Sequence, residues 1–320
     1  MATAEQIKSL IRSHFNHDAE RFSTVVLQVA AHEARQGHAA LAREIRDLIE
    51  RERSKKTTNP FAGELQGLVR SEEAETTKAA LVIPDLLRTR IDRIIHEYRQ
   101  QAKLKSHGLQ HRRKILLIGP PGTGKTMTAR VLARELHICL YTIQMDRLVT
   151  KFMGESSAKL RQVFDLVQQE HGVYLFDEFD AIGGERSMDN DVGEMRRVLN
   201  AFLQFVDQDT SDSLIVAATN NPRLLDQALF RRFDDILYYS LPSPAERKQL
   251  IENLLGVFLA KWFVWKGVLS ESDRLSHAEI DQACRDAIKH VILSDQTHVT
   301  SSQLLKTLRE RKRAIEGLQE

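Results

Sequence analysis

Between residues 4 and 53 the apolar positions return at helical spacing: Ile7, Leu10 and Ile11, then Phe22, Val25, Val26 and Val29, then Leu41, Ile45, Leu48 and Ile49. Steps of three and four residues put each set on one face, so this region is expected to be helical throughout, as two or three short antiparallel helices. Asp18 is placed to cap the second helix and Gly37 to end it. The stretch SKKTTNPFAGELQG (54–67) gathers breakers and polar residues, and SEEAETTKAA carries the low hydrophobicity on to about residue 80. The pattern then changes. Short β-rich runs alternate with helix-length segments: KILLI (114–118), CLYTI (139–143), VYLF (173–176), LIVAAT (214–219) and ILYY (236–239). Unbroken apolar runs of this length suit strands buried on both faces, and therefore a parallel sheet covered by helices. After Pro242 and Pro244 the strands stop, and PAERKQLIENLLGVFLAKW, HAEIDQACRDAIKHVIL and SSQLLKTLRERKRA read as helices. The expected organisation is a helical module at 1–55, a linker at 56–80, an α/β domain at 81–242 and a helical domain at 243–320.

Composition narrows the class. A chain of 320 residues exceeds one ordinary core, which agrees with two or three domains. With 42% apolar and 28% charged residues it is globular, and a net charge of +2 gives no reason to expect nucleic acid or an anionic membrane as partner. No stretch approaches a membrane span, and the N-terminus lacks the apolar core of a signal peptide, so a cytoplasmic location is expected. Cys139 and Cys284 are isolated thiols suited to packing in a reducing compartment. His32-Glu33 and His96-Glu97 lack the second histidine of a zinc-protease helix. Trp262 and Trp265 are expected to pack within the C-terminal helices.

The chemistry is concentrated at three strand ends. GPPGTGKT, comprising Gly119, Pro120, Pro121, Gly122, Thr123, Gly124, Lys125 and Thr126, fits a phosphate-binding loop between a strand and a helix, with Met127 following on that helix. Its glycines let backbone N–H groups turn toward phosphate oxygens, and the helix N-terminus adds its positive end. Lys125 is expected to reach the β- and γ-phosphates of ATP and Thr126 to ligate Mg²⁺. VYLFDEFD ends a buried strand in Asp177, which faces the metal region, and Glu178, which can polarise a water for in-line attack. Alone, such an acid pair is better read as a solvated turn; its place 52 residues after Lys125 in the same sheet argues otherwise. Asn220 closes LIVAATNNP, where an amide can hold the attacking water or the γ-phosphate, and ALFRRFDD follows with adjacent Arg231 and Arg232.

GPPGTGKT, KFMGESSAKLRQVF, LFDEFDAI and AATNNPRLLDQALFRRFDD, in that order, resemble the AAA family that includes katanin, spastin and the proteasomal ATPases, over about residues 81–290. The resemblance implies an α/β P-loop NTPase fold: a parallel five-stranded sheet with helices on both faces, followed by a small helical lid and here preceded by a small all-helical module. It implies that Asn220 is the polar sensor. Arg231 and Arg232 become arginine fingers reaching the γ-phosphate of the next subunit, so that the site is completed in a homo-oligomeric ring, usually a hexamer. KFMGE matches the family's first pore loop, with Lys151, Phe152 and Gly154 placing an aromatic where an extended polypeptide is gripped. GGERSMDNDVGE (183–194) suits a second loop. Two departures stand out. LVIPDLL (81–87) replaces the family's Asp-Ile-x-Gly at the adenine, and RLSHAE (274–279) carries Arg274 and His277 where the lid motif has glycines, leaving His277 and Ala278 as candidate nucleotide contacts or His277 as a helix cap.

The expected function is an ATP-driven remodeller that acts on a partner protein through its pore loops, with residues 1–55 recruiting that partner. The alternative is a nucleotide-dependent regulator that restrains a partner enzyme, such as the serine protease found beside stand-alone bacterial relatives, without threading it. A DNA-associated machine is disfavoured by the near-neutral charge and the lack of a DNA-reading module.

Overall fold

The computed structural model describes residues 8–10, 13, 19–38, 41–47, 65, 67–148, 155–182, 189–222 and 230–316. The chain divides into two compact units, Met1–Gly63 and Glu64–Glu320. In the first, helix α1 (Ala19–Arg35) buries Val25, Val29 and Ala30. It ends where Gly37 adopts φ +88° and the His38 N–H closes back on the Glu33 carbonyl at 3.0 Å. That left-handed closure is the role expected of Gly37. Asp18 lies outside the described residues.

The second unit is built on a six-stranded sheet: β1 (Val69–Glu72), β2 (Lys114–Ile118), β3 (Cys139–Ile143), β4 (Gly172–Phe176), β5 (Leu214–Thr219) and β6 (Asp235–Tyr238). The order is β1-β3-β4-β5-β2-β6, with every pair parallel except β1 against β3. All five expected strands are present. β1 is the difference, an antiparallel edge strand inside the stretch expected as linker. Only Val69 of its four residues is buried, too short an apolar signal to stand out in a polar context. The sheet is covered by α2 (Asp85–Arg99), which the short exposed α3 (Gln101–Ser106) follows, and by α4 (Lys125–Leu136), α5 (Met145–Leu148), α6 (Glu155–Gln169) and α7 (Asp189–Gln208). β4 and β5 are buried along their whole length, which is why they read as continuous apolar runs.

A helical lid follows: α8 (Pro244–Leu255), α9 (Trp265–Glu271), α10 (His277–Leu293) and α11 (Ser301–Glu316). Ser243 and Ser276 each form a capping box, with Glu246 and Glu279, that starts α8 and α10. The expected helix at 244–262 stops early, because Gly256 turns to φ +49° after Leu255. Trp265 packs beside Phe263 on the lid core, whereas Trp262 is 93% exposed and does not pack as expected. One extended segment stitches the two lobes of this unit: Leu81 and Ile83 enter the α/β core, and Val82 between them enters the lid core. Alternating side chains of an extended strand point to opposite sides, so three residues serve two cores. Among the described residues, no helix is long and apolar enough to cross a membrane.

Candidate functional site

Parallel register brings three strand ends together. Ile118 of β2 sits opposite Thr219 of β5, and Phe176 of β4 opposite Ala217. The residues that follow these ends are the loop 119–124, Asn220 and Asp177. A cavity of about 900 Å³ opens there between the α/β domain and the lid.

The loop leaves β2 and enters α4 through Gly124, whose φ of +99° is left-handed. At Gly122, φ +72°, a Cβ would collide with the Ser276 hydroxyl of the lid. The Ala278 N–H also donates to the Gly122 carbonyl at 3.0 Å, so the start of α10 rests directly on the loop. The ammonium of Lys125 donates to the carbonyls of Gly119 (2.7 Å) and Pro120 (2.8 Å) and to Oδ1 of Asn220 (2.8 Å). Burial holds its pKa below the usual lysine range, against the opposing pull of Asp177 and Asp180. The Thr126 hydroxyl donates to Asp177 Oδ2 at 2.6 Å. Glu178, exposed at the cavity, has φ +53°, a left-handed conformation that costs a non-glycine residue on the order of 1 kcal/mol. Asp180 accepts the backbone N–H of Asn220 at 3.1 Å and so ties the end of β5 to the turn after β4.

Pro121, Gly122, Gly124, Lys125, Thr126, Met127, Asp177, Glu178, Asn220, His277 and Ala278 line one cavity. Gly119, Pro120 and Thr123 build the loop without lining it; Thr123 braces it by donating to the Pro120 carbonyl at 2.8 Å. Arg231 is exposed and Arg232 pairs with Asp207 at 2.8 Å, and neither lines this cavity. Lys151, Phe152, Gly154 and residues 183–188 lie outside the described residues. His277 is not the helix cap, since Ser276 holds that place. Its ring nitrogens are shielded from water, and burial depresses its pKa. Arg274, at the other glycine position of the lid motif, keeps a left-handed φ of +64°.

The sequence did not single out Ala79, Ala80, Leu250, Leu254 and Asp281, which also line the cavity. Leu250 and Leu254 are spaced i, i+4, a spacing that equally describes a core face, and Leu250 also belongs to the lid core. Nothing in the polar run before Leu81 marks Ala79 or Ala80. The Thr126 hydroxyl and the Asp177 carboxylate are two hard oxygens held together beside a lysine, a donor set that fits Mg²⁺ with its remaining places left to water and phosphate.

A mostly parallel sheet whose phosphate loop opens a helix, with an amide at the end of the adjacent strand β5 and an acid pair at the end of β4 beyond it, defines a P-loop nucleoside triphosphatase. Residues 115–241 match the ATPase family associated with various cellular activities (AAA). The chain is 31% identical to the AAA family ATPase y4kL of Sinorhizobium fredii over 99% of this chain and 98% of that protein. It is 34% identical to Fidgetin-like protein 1 of Homo sapiens over 57% of this chain and 28% of that one. It is 30% identical to the meiotic spindle formation protein mei-1 of Caenorhabditis elegans over 70% and 50% of the two chains. The chain belongs to the AAA family of ATPases.

Proposed function

We propose that this chain is an ATP-hydrolysing subunit of a homo-oligomeric ring, usually a hexamer in this family, that remodels a partner protein. The reading rests above all on one observation: Lys125 and Asn220, Thr126 and Asp177, and Glu178 meet at a single cavity that the lid helps to enclose. In this reading the loop N–H groups and Lys125 hold the phosphates, and Glu178 takes the proton from the attacking water while Asn220 orients that water. Thr126 and Asp177 would hold Mg²⁺, which would neutralise phosphate charge. The apolar lining residues Ala79, Ala80, Leu250, Leu254 and Ala278 would receive the base, with His277 among the lining. Arg231, exposed and away from its own chain's cavity, suits a finger for a neighbour's γ-phosphate, and Arg232 beside it the same role. Lys151, Phe152 and Gly154 form the gripping loop, and the helices of 1–55 recruit the partner.

The test compares Glu178→Gln and Arg231→Ala with the wild type. Glu178→Gln is expected to bind ATP and lose hydrolysis, because an amide cannot accept the water's proton. Arg231→Ala is expected to bind ATP normally and lose about 10³-fold or more in turnover, the scale of an arginine finger. Near-wild-type turnover by Glu178→Gln would remove the catalytic role, and normal turnover by Arg231→Ala would remove the finger. Phe152→Ala separates the remodeller from a regulator that restrains its partner without threading it, because only the remodeller depends on that ring.

A further inference from the structure

Beneath the phosphate loop lies a polar contact that the nucleotide chemistry leaves unexplained. Thr128, fully buried on α4, has its hydroxyl 2.6 Å from the phenol oxygen of Tyr239 and 3.1 Å from the Gly124 carbonyl. A carbonyl only accepts, so Thr128 spends its single proton on Gly124 and receives one from Tyr239. Tyr239 is itself 6% exposed, and burial raises its pKa, which keeps the phenol protonated as donor. Its backbone grips the opposite end of the loop. The Tyr239 N–H donates to the Ile118 carbonyl at 2.7 Å, and its own carbonyl and Cβ occupy the space that a side chain at Gly119 would need. One residue thus touches the loop where it leaves β2 and, through Thr128, where it enters α4. Two apolar side chains would fill the same core space without two buried hydroxyls that must be matched, so volume alone does not account for the pair.

We propose that Tyr239 is a positioning residue for the nucleotide: its backbone and its phenol, acting through Thr128, clamp both ends of the loop 119–124 and fix the Gly124 carbonyl, and with it the Lys125 and Thr126 that follow. The proposal rests on the nucleotide-site reading above. Tyr239 touches no phosphate, so its effect is on how well the loop is preorganised for the β-phosphate that ATP and ADP share.

The test uses full-length wild type, Tyr239→Phe, Thr128→Val and the double variant, measuring ATP and ADP dissociation constants, kcat, and melting temperature without nucleotide. Tyr239→Phe is expected to weaken ATP and ADP by the same factor, about five- to tenfold, the scale of one lost hydrogen bond, with kcat at saturation within about twofold of wild type. Thr128→Val strands the phenol without its acceptor and is expected to weaken both more. The double variant, with no orphaned hydroxyl, is expected to return toward Tyr239→Phe. Unchanged dissociation constants in both single variants, with lowered melting temperatures, would show a merely structural contact and overturn the clamp alone. A wild-type chain that binds neither nucleotide would overturn the nucleotide site itself, and the clamp with it.

Discussion

Lys125 shows how much one side chain depends on its surroundings. Three oxygens satisfy its ammonium while burial works against its charge, so its proton is retained by geometry rather than by solvent. Histidines provide the contrast. His111 is 3% exposed, its ring edge-on to Tyr98 at 5.4 Å, and burial lowers its pKa; Arg113 and Lys105 lower it further, and Asp212 and Asp234 oppose them. His171, hydrogen-bonded to the Tyr98 phenol, and His277 are lowered chiefly by burial as well. A histidine whose folded pKa lies below its unfolded value of about 6.5 binds more protons unfolded, so its penalty is absent above that pH and grows as pH falls through it. Melting temperature is therefore expected to drop between pH 7.5 and 5.5 beyond what a His111→Phe variant shows over the same range. Equal slopes would mean that His111 is not a contributor. None of the three surroundings is legible locally, because each depends on what the fold packs beside the ring.

At the scale of elements, β6 does more than its four residues suggest. Asp235, 4% exposed at its side chain, begins the strand as the common acceptor of Arg90 and of Arg93 (3.3 Å) on α2, with Arg112 4.0 Å away. Arg112 also pairs with Glu97, so α2 is tied to the β2–β6 edge by one charge network. Its guanidinium groups are partly exposed, which reduces each pair's worth, but the carboxylate is not. Asp235→Asn is expected to cost about 2 kcal/mol, discounted from the fully buried case, and to lower the melting temperature by roughly 4–8 °C. A loss smaller than that of an exposed pair such as Lys105–Asp212 would show that the network adds nothing. The four inner strands were readable because little of either face is exposed, and the edge strand β6 because its run ILYY is apolar, whereas β1, with Val69 alone buried, was not.

At the scale of the whole molecule, the residues that line the cavity all fall in the unit Glu64–Glu320, and none falls in Met1–Gly63. A module so placed is expected to contribute recognition rather than chemistry. Deleting residues 1–55 should leave substantial basal ATPase and abolish partner binding. Turnover and oligomeric mass of the truncated chain decide between this and a structural role: a collapse of both would mean that the N-terminal helices hold the ring together. Within the larger unit, the Leu81-Val82-Ile83 stitch and the rest of α10 on Gly122 join the two lobes on either side of the cavity, which is the arrangement a nucleotide-responsive lid requires.

Local sequence was enough for what depends on local order. The phosphate loop, the acid pair after β4, the asparagine after β5 and the five covered strands are each written in a few consecutive residues, since backbone curvature, strand burial and ligand chemistry act over that range. The tertiary structure decided what depends on meeting. Lys125 finds Asn220 across 95 positions, and Tyr239 finds Thr128 across 111. The lid residues Leu250, Leu254 and Asp281, on α8 and α10, and Ala79 and Ala80, ahead of α2, become walls of one cavity only because the fold brings these segments together. Spacing along a chain says which face a residue shares with its neighbours, but packing alone determines what that face is pressed against.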